Sequence, residues 1–201
     1  MVIDGVYYGL GFAAAGGVVW WLAGPWFAVP LYLVAGFCVY FFRDPEREIP
    51  PGAVAVSPAD GRVVALQAES PSLTRVSVFM NIFDVHVNRA PVVGRIKQVV
   101  YSKGKFLVAS REEASTRNEQ NLVVVEGEGT EVTFKQIAGL IARRIVFYKK
   151  PGDCVQTGER VGLIKFGSRV DVLLGPEWDI VVRRGMRVRA GSSVLARRRR
   201  G

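Results

Sequence analysis

No charged residue occurs between Val6 and Phe42, whereas charge recurs at ordinary density from Arg43 onward. The apolar stretch is broken only at Gly24-Pro25, which leaves runs of about Val6–Ala23 and Trp26–Phe42. A Gly-Pro step punctuates a helix, and each run is near the lower length limit for crossing a bilayer as a helix. Trp20, Trp21 and Trp26 gather at the break, as aromatics do at a membrane interface. The pattern predicts a hydrophobic helical hairpin over residues 1–42, with a shallow re-entrant insertion as the competing arrangement. A signal peptide is excluded by the length, the missing basic n-region and the missing A-x-A-like cleavage site. Arg43 and Arg47 directly after the hairpin place the remainder on the cytoplasmic side of the cell membrane by the positive-inside rule.

The segment "RDPEREIPPG" is rich in turn formers and charge, and residues 43–57 read as a linker leading into the core. Beyond it the pattern changes to short β-branched runs separated by glycine-containing turns. Arg62–Leu66, Arg75–Met80, Phe83–Val87, Arg95–Tyr101, Leu122–Glu126, Glu131–Ile137, Ile145–Tyr148, Arg160–Ile164, Val170–Leu174 and Ile180–Arg183 read as strands. Only Gln136–Ala142 has a helix-like look. Residues 58–201 are therefore expected to form a β-rich barrel or sandwich.

A repeat sharpens this. "PADGRVVAL" from Pro58 echoes "PVVGRIKQV" from Pro91, and "GDCVQTGERVG" from Gly152 echoes "GMRVRAGSSVL" from Gly185. Gly61 and Gly94 stand 33 residues apart, as do Gly152 and Gly185. One shared offset implies two similar β units, each built from one early and one late piece and woven together. The later pattern resembles the turn–strand–turn signature of lipoyl- and biotinyl-type hybrid barrels. The fold class is thus mainly β: a duplicated hybrid barrel or sandwich-like domain preceded by a hydrophobic helical hairpin. The halves differ at one turn, where Asp60 in the first corresponds to Val93 in the second.

The formal net charge of +9 suits nucleic acid, anionic membrane or acidic small molecules. No basic–aromatic stripe accompanies it, so nucleic acid is not expected. The tail Arg197-Arg198-Arg199-Arg200 reads either as an anchor near anionic lipid or as a solvated tail. The two cysteines, Cys38 and Cys154, make no disulfide framework, which fits a reducing compartment. With a single histidine and no paired cysteines, no metal site is expected.

That histidine, His86, is the one side chain whose ordinary pKa lies near neutrality. If "NIFDVHVNRAP" is a strand, alternation sets Asp84, His86 and Asn88 on one face and Phe83, Val85 and Val87 on the other. Near the C-terminus, "IKFGSRVD" reads as a strand interrupted by Gly167-Ser168, and glycine inside a strand marks a bulge or a close backbone approach. Asp60, His86 and Ser168 form a candidate orienter–base–nucleophile set. On spacing alone, Asp60 reads first as a turn residue bonding its own backbone, and His86 first as a structural histidine.

"FFRDPER", "SPADGRVV", "MNIFDVHVNRAP", "NEQN" and "KPGDCVQTGERVGLIKFGSRVDVLL" together resemble the phosphatidylserine decarboxylases, specifically their short, archaeal-type form, from about Phe41 to Leu174. The resemblance implies a self-processing pyruvoyl enzyme. Ser168 Oγ attacks the Gly167 carbonyl to give an ester, loss of the Ser168 α-proton eliminates it to dehydroalanine, and hydrolysis releases ammonia and leaves a covalent pyruvoyl group. The products are a β subunit, 1–167, and an α subunit, 168–201. His86, oriented by Asp60, is implied as base and later as proton donor. The pyruvoyl ketone forms a Schiff base with phosphatidylserine, which loses carbon dioxide to become phosphatidylethanolamine. Longer members carry a second histidine three positions earlier, where this chain has Phe83.

The resemblance also implies an anionic phospholipid partner held in the membrane, and a homo-oligomer is compatible with it. Substrate-binding residues are not assigned, although cationic groups near Asn118–Asn121 and Lys165 are able to meet a phosphate or carboxylate. Two alternatives stand beside this reading. One keeps the chemistry on an archaetidylserine. The other is a membrane-tethered hybrid-barrel module without catalysis, although Lys165 lacks the tight hairpin tip that lipoylation needs.

Overall fold

The computed structural model describes residues 2–109, 113–127, 129–140, 144–165 and 167–199. It divides into two units, Met1–Glu46 and Arg47–Gly201. In the first, helix α1 (Ile3–Ala23) and helix α2 (Pro25–Phe41) form a hairpin. Gly24 turns the chain with φ of 96°, its N–H donating to Trp20 O, and Pro25 opens α2 where no intrahelical N–H is needed.

The buried positions of α1 are Gly5, Gly9 and Gly16, and those of α2 are Ala28, Ala35 and Phe41. A Cβ on Gly16 would come within 3.0 Å of the Tyr32 ring. Small residues of α1 thus line the seam while most large side chains point outward, with Trp21 and Trp26 each 84% exposed. A water-soluble helix pair shows the opposite distribution, and small-residue seams are how helices pack inside lipid. At 1.5 Å per residue, α1 is about 31 Å long and α2 about 26 Å, against a hydrocarbon core of about 30 Å. By length and composition α1 is able to cross a membrane, and α2 is shorter.

The second unit is mainly β. Its elements in order are β1 (Val54–Val56), β2 (Gly61–Ser70), β3 (Leu73–Met80), β4 (Val87–Arg89) and β5 (Gly94–Ser102), then helix α3 (Ala114–Arg117). There follow β6 (Gln120–Gly127), β7 (Thr130–Ile137), β8 (Arg144–Phe147), β9 (Cys154–Val155) and β10 (Arg160–Lys165). The last are β11 (Ser168–Leu174), β12 (Trp178–Ile180), β13 (Arg187–Val188) and β14 (Val194–Arg198). Eight strands make one curled sheet in the order β13-β2-β3-β11-β7-β6-β5-β9. Two three-stranded sheets, β1-β14-β12 and β4-β10-β8, complete the walls. Alternate residues such as Val76, Val78, Val123, Phe134, Val170 and Val172 fill the core between them.

The repeat is visible in the backbone. Gly61 pairs with Val188 in β2–β13, and Gly94 pairs with Val155 in β5–β9. Gly185 N–H donates to Val63 O at 2.7 Å, and Gly152 N–H to Ile96 O at 2.8 Å. Gly191 N–H meets Ser57 O and Gly158 N–H meets Ala90 O, both at 2.8 Å. Each donor and acceptor has its counterpart 33 residues away. The early piece of each unit pairs with the late piece of the other, so the halves interlock and neither closes a core alone.

Four local expectations are corrected. Phe83–Val87 is not a strand, because Asn81 and Asp84 close a turn: Phe83 N–H donates to Asn81 Oδ1 and Asn81 N–H to Asp84 Oδ2. Only 87–89 is extended, and Val85, His86, Val87 and Asn88 are all buried without alternation. Gln136 and Ile137 end strand β7 in place of starting a helix, and Ala142 lies outside the described residues. The strand expected at Ile180–Arg183 is Trp178–Ile180. Arg197 and Arg198 are not a tail but lie in β14, opposite Val54 and Trp178, while Arg200 lies outside the described residues.

Candidate active site

β11 occupies the interior of the eight-stranded sheet, between β3 and β7, and its first residue is Ser168. Val170, Val172 and Leu174 go to the core, which fixes the register Ser168 opposite Met80. Ser168 is fully buried, and its hydroxyl donates to the Met80 thioether at 3.9 Å. Gly167 precedes it with φ of 30°, a left-handed conformation that favours glycine. The Gly167 carbonyl packs against Gly139, where a Cβ would fall 1.9 Å from that oxygen. Phe166 lies outside the described residues.

Gly167 also lines a cavity of about 280 Å³. The walls are Phe79, Ile82, Val108, Ala109 and Leu140, with Asn81 the single polar side chain among them. None of these carries charge.

His86 is buried and held from two sides. Its Nδ1 bonds the Asp84 carbonyl at 2.9 Å, and its own carbonyl accepts from Ile164 N–H at 3.3 Å. A carbonyl only accepts, so Nδ1 carries the hydrogen and the neutral ring keeps its lone pair on Nε2. The second contact ties His86 to β10, the strand that leads into Gly167-Ser168. Asp60 sits in the turn before β2. Its carboxylate accepts from Arg47 Nη2 at 2.8 and 3.0 Å and from Ala190 N–H at 2.7 Å. At the equivalent turn of the other half, Val93 and Thr157 border a different cavity. Among the described residues, Asp60, His86 and Ser168 are not hydrogen-bonded to one another.

Two buried polar networks flank the Gly-Ser bond. Asn121 donates to Gln136 at 3.0 Å, Gln136 to Asn88 at 2.9 Å, and Asn88 to the Met80 sulfur at 3.9 Å, so a chain of amides ends on the residue that touches Ser168. On the other face of β11, Arg169 binds Asp171 at 2.6 Å and Ser77 at 2.7 Å, and Asp171 accepts from Ser115 at 2.8 Å. Asn118 clamps two cavity loops together, bonding both backbone groups of Leu107 and the carbonyl of Ala138. Reading the sequence missed Met80, Gly139 and these networks. The motif "NEQN" contains Asn118 and Asn121, but their partners are far away in sequence.

The fold and site define a β domain that buries a serine behind a left-handed glycine, beside a cavity whose described lining carries no charge. Residues 34–196 match the family model described as phosphatidylserine decarboxylase. The chain is 67% identical over 198 residues to the phosphatidylserine decarboxylase proenzyme of Solibacter usitatus, covering 98% of this chain and 97% of that one. It is 45% identical over 214 residues to the phosphatidylserine decarboxylase proenzyme of Erythrobacter litoralis, covering 96% and 86%. The chain belongs to the phosphatidylserine decarboxylase family.

Proposed function

We propose that this chain is a membrane-bound proenzyme of the short, archaeal-type subclass that cleaves itself between Gly167 and Ser168 and then decarboxylates phosphatidylserine. The observation that carries the reading is a fully buried serine after a left-handed glycine, with a cavity alongside whose described lining carries no charge. Plain hydrolysis at this bond would leave a new ammonium group among apolar walls, at a cost of several kcal/mol. A neutral keto group there needs no counter-charge, so the residues present fit a pyruvoyl group.

In self-processing, Ser168 Oγ adds to the Gly167 carbonyl and its proton passes to Nε2 of His86. Gly139 leaves the space in which that carbonyl changes from planar to tetrahedral. Asp60 is assigned the role of steadying the imidazolium so formed. A pyruvoyl group at position 168, held between Met80 and the loop of Gly139, would supply an electrophilic carbonyl for the substrate amine and an electron sink for decarboxylation. The apolar walls keep water from that carbonyl and favour the neutral amine over the ammonium. His86 returns a proton to the substrate carbon, with Phe83 standing where longer relatives have a second histidine. The hairpin holds the domain at the cell membrane on its cytoplasmic side.

Intact mass of the purified protein tests this. The expected result is two fragments meeting at 167/168, the smaller blocked at its N-terminus, and no cleavage in Ser168→Ala. His86→Ala and Asp60→Asn are expected to slow cleavage at least 100-fold, the order associated with loss of a general base. A wild-type chain that stays whole overturns the reading.

A further inference from the structure

The amide chain Asn121–Gln136–Asn88 is buried throughout and drawn from three strands, β6, β7 and β4. Packing alone does not call for it, because apolar side chains of similar size fill such space without drying polar atoms. Room is left for it at Gly162, on β10 opposite Asn88, where a Cβ would stand 3.2 Å from Gln136 Nε2. Its direction is set at one end by the Met80 sulfur. A thioether has only lone pairs to offer, so Asn88 turns its NH2 to the sulfur and its carbonyl to Gln136. Gln136 then presents its NH2 to Asn88 and its carbonyl to Asn121.

The outcome is a file of donors aimed at the atom that also holds the Ser168 hydroxyl, with both contacts to the sulfur at 3.9 Å. Sulfur is a weak acceptor, and among the described residues Asn88 Nδ2 bonds nothing else. A buried N–H left on a weak acceptor is a donor underused, and self-cleavage makes a better oxygen for it. Once Oγ has displaced the peptide nitrogen, it bridges the Gly167 carbonyl carbon and Ser168 Cβ as an ester. A base then removes the Ser168 α-proton, and that electron pair forms the Cα–Cβ double bond. The Cβ–Oγ bond breaks with its pair staying on Oγ, so Gly167 becomes a carboxylate and one of its oxygens is the former Oγ. Negative charge thus arises on the very atom that shared Met80 with Asn88, beside a cavity whose described lining holds no cation.

We infer that Asn88 Nδ2 leaves the sulfur and donates to the Gly167 carboxylate as it forms, and that Gln136 and Asn121 are positioning residues that hold Asn88 in this orientation. This rests on the reading of Gly167-Ser168 as a self-cleaving bond, and it gives the elimination step of that reaction its hydrogen-bond donor. A donor fixed beforehand where charge develops speeds the step that develops it. The preceding attack places its charge on the Gly167 carbonyl oxygen, which packs against Gly139. Asn88 therefore serves the second step and not the first.

The test follows self-cleavage of the full chain, made by cell-free synthesis in neutral detergent, by intact mass with and without hydroxylamine. Hydroxylamine cuts an ester and spares a peptide bond, so it releases a fragment with a free serine N-terminus only from chains stalled before elimination. Wild type is expected to pass to the blocked fragment with little ester. Asn88→Leu and Asn88→Asp, which keep the side-chain size and lose the donor, are expected to slow elimination about 100-fold and to accumulate hydroxylamine-cleavable chain. Gln136→Met is expected to do the same to a smaller degree. A substitution that only loosened the fold would slow the attack too and leave a chain resistant to hydroxylamine. A second readout needs no substitution among the amides and decides the matter where those variants do not fold. The chain has four asparagines, and with 15N-asparagine labelling the Asn88 side-chain protons are expected to move downfield from uncleaved Ser168→Ala to cleaved wild type, as an oxygen anion replaces sulfur. The inference is overturned if folded Asn88 variants cleave at the wild-type rate or stall in a hydroxylamine-resistant form, or if the Asn88 signal does not move on cleavage. A wild-type chain that never cleaves would overturn the underlying reading instead, and its intact mass shows this before either readout is used.

Discussion

Gly139 is the residue on which the geometry of the reactive bond turns. Any side chain there would occupy the space of the Gly167 carbonyl oxygen, the nearest approach being 1.9 Å. Gly139→Ala must therefore push the carbonyl away from Ser168 or shift the loop that carries it. A displacement of about 1 Å costs a positioned reaction roughly 100-fold. Self-cleavage of Gly139→Ala, followed by intact mass, is expected to slow by about that factor while the variant remains folded by circular dichroism. Cleavage at the wild-type rate would remove Gly139 from the machinery. Met80 acts at the same scale from the other side, since its sulfur is the hydrogen-bond partner of the Ser168 hydroxyl. Ser168, Gly167, His86 and Asp60 were legible as candidates because unusual residue types stand in strand and turn contexts. Met80 and Gly139 were not, since a methionine before a turn and a glycine in a loop look ordinary until the fold brings Ser168 and Gly167 to them.

Among the elements, β11 carries the most constraint. Burial on both faces is usual for an interior strand, but this one places Arg169 and Asp171 on its second face, 1% and 0% exposed. The pair survives there because Ser77 and Ser115 complete its hydrogen bonds. Arg75 Nη1 adds a second cation 3.7 Å from Asp171. Removing one partner of such a pair leaves a buried charge without compensation, at about 3–5 kcal/mol. Asp171→Asn is expected to lower unfolding stability by about that amount in a urea titration, and a change under about 1 kcal/mol would contradict the burial of the network. The strand runs were readable because β-branched residues alternate there. The turn at Asn81–Asp84 was not, since "NIFDVHV" satisfies strand propensity and only side-chain bonds to the backbone make it turn. β14 was misread for the reverse reason: four arginines look solvated, yet two of them extend a strand whose Leu195 and Ala196 are buried.

For the whole molecule, the cut proposed after Gly167 would fall inside the sheet without dividing the fold. The smaller product contains β11 to β14, and each of these pairs with strands of the larger product or with one another. β11 is hydrogen-bonded on both edges to strands of the larger product, β3 and β7. The two fragments are therefore expected to elute as one species in gel filtration and to separate only in denaturant. Elution apart under native conditions would contradict this sheet order. The interlocked duplication has the same consequence, because each half is closed by the late piece of the other.

The sequence by itself determined the apolar hairpin, the β-rich character of the remainder and the repeat at 33 residues, since these depend on composition, periodicity and spacing along the chain, and its motifs carried the resemblance to the family. The tertiary structure decided what surrounds the Gly-Ser bond: the Met80 contact, the Gly139 clearance, the amide chain from Asn121 and the placement of Asp60 on Arg47 and Ala190. It also decided which early piece closes which late one. These are contacts between residues dozens of positions apart, set by strand register and burial, and no local pattern of hydrophobic and polar residues encodes a partner at that distance.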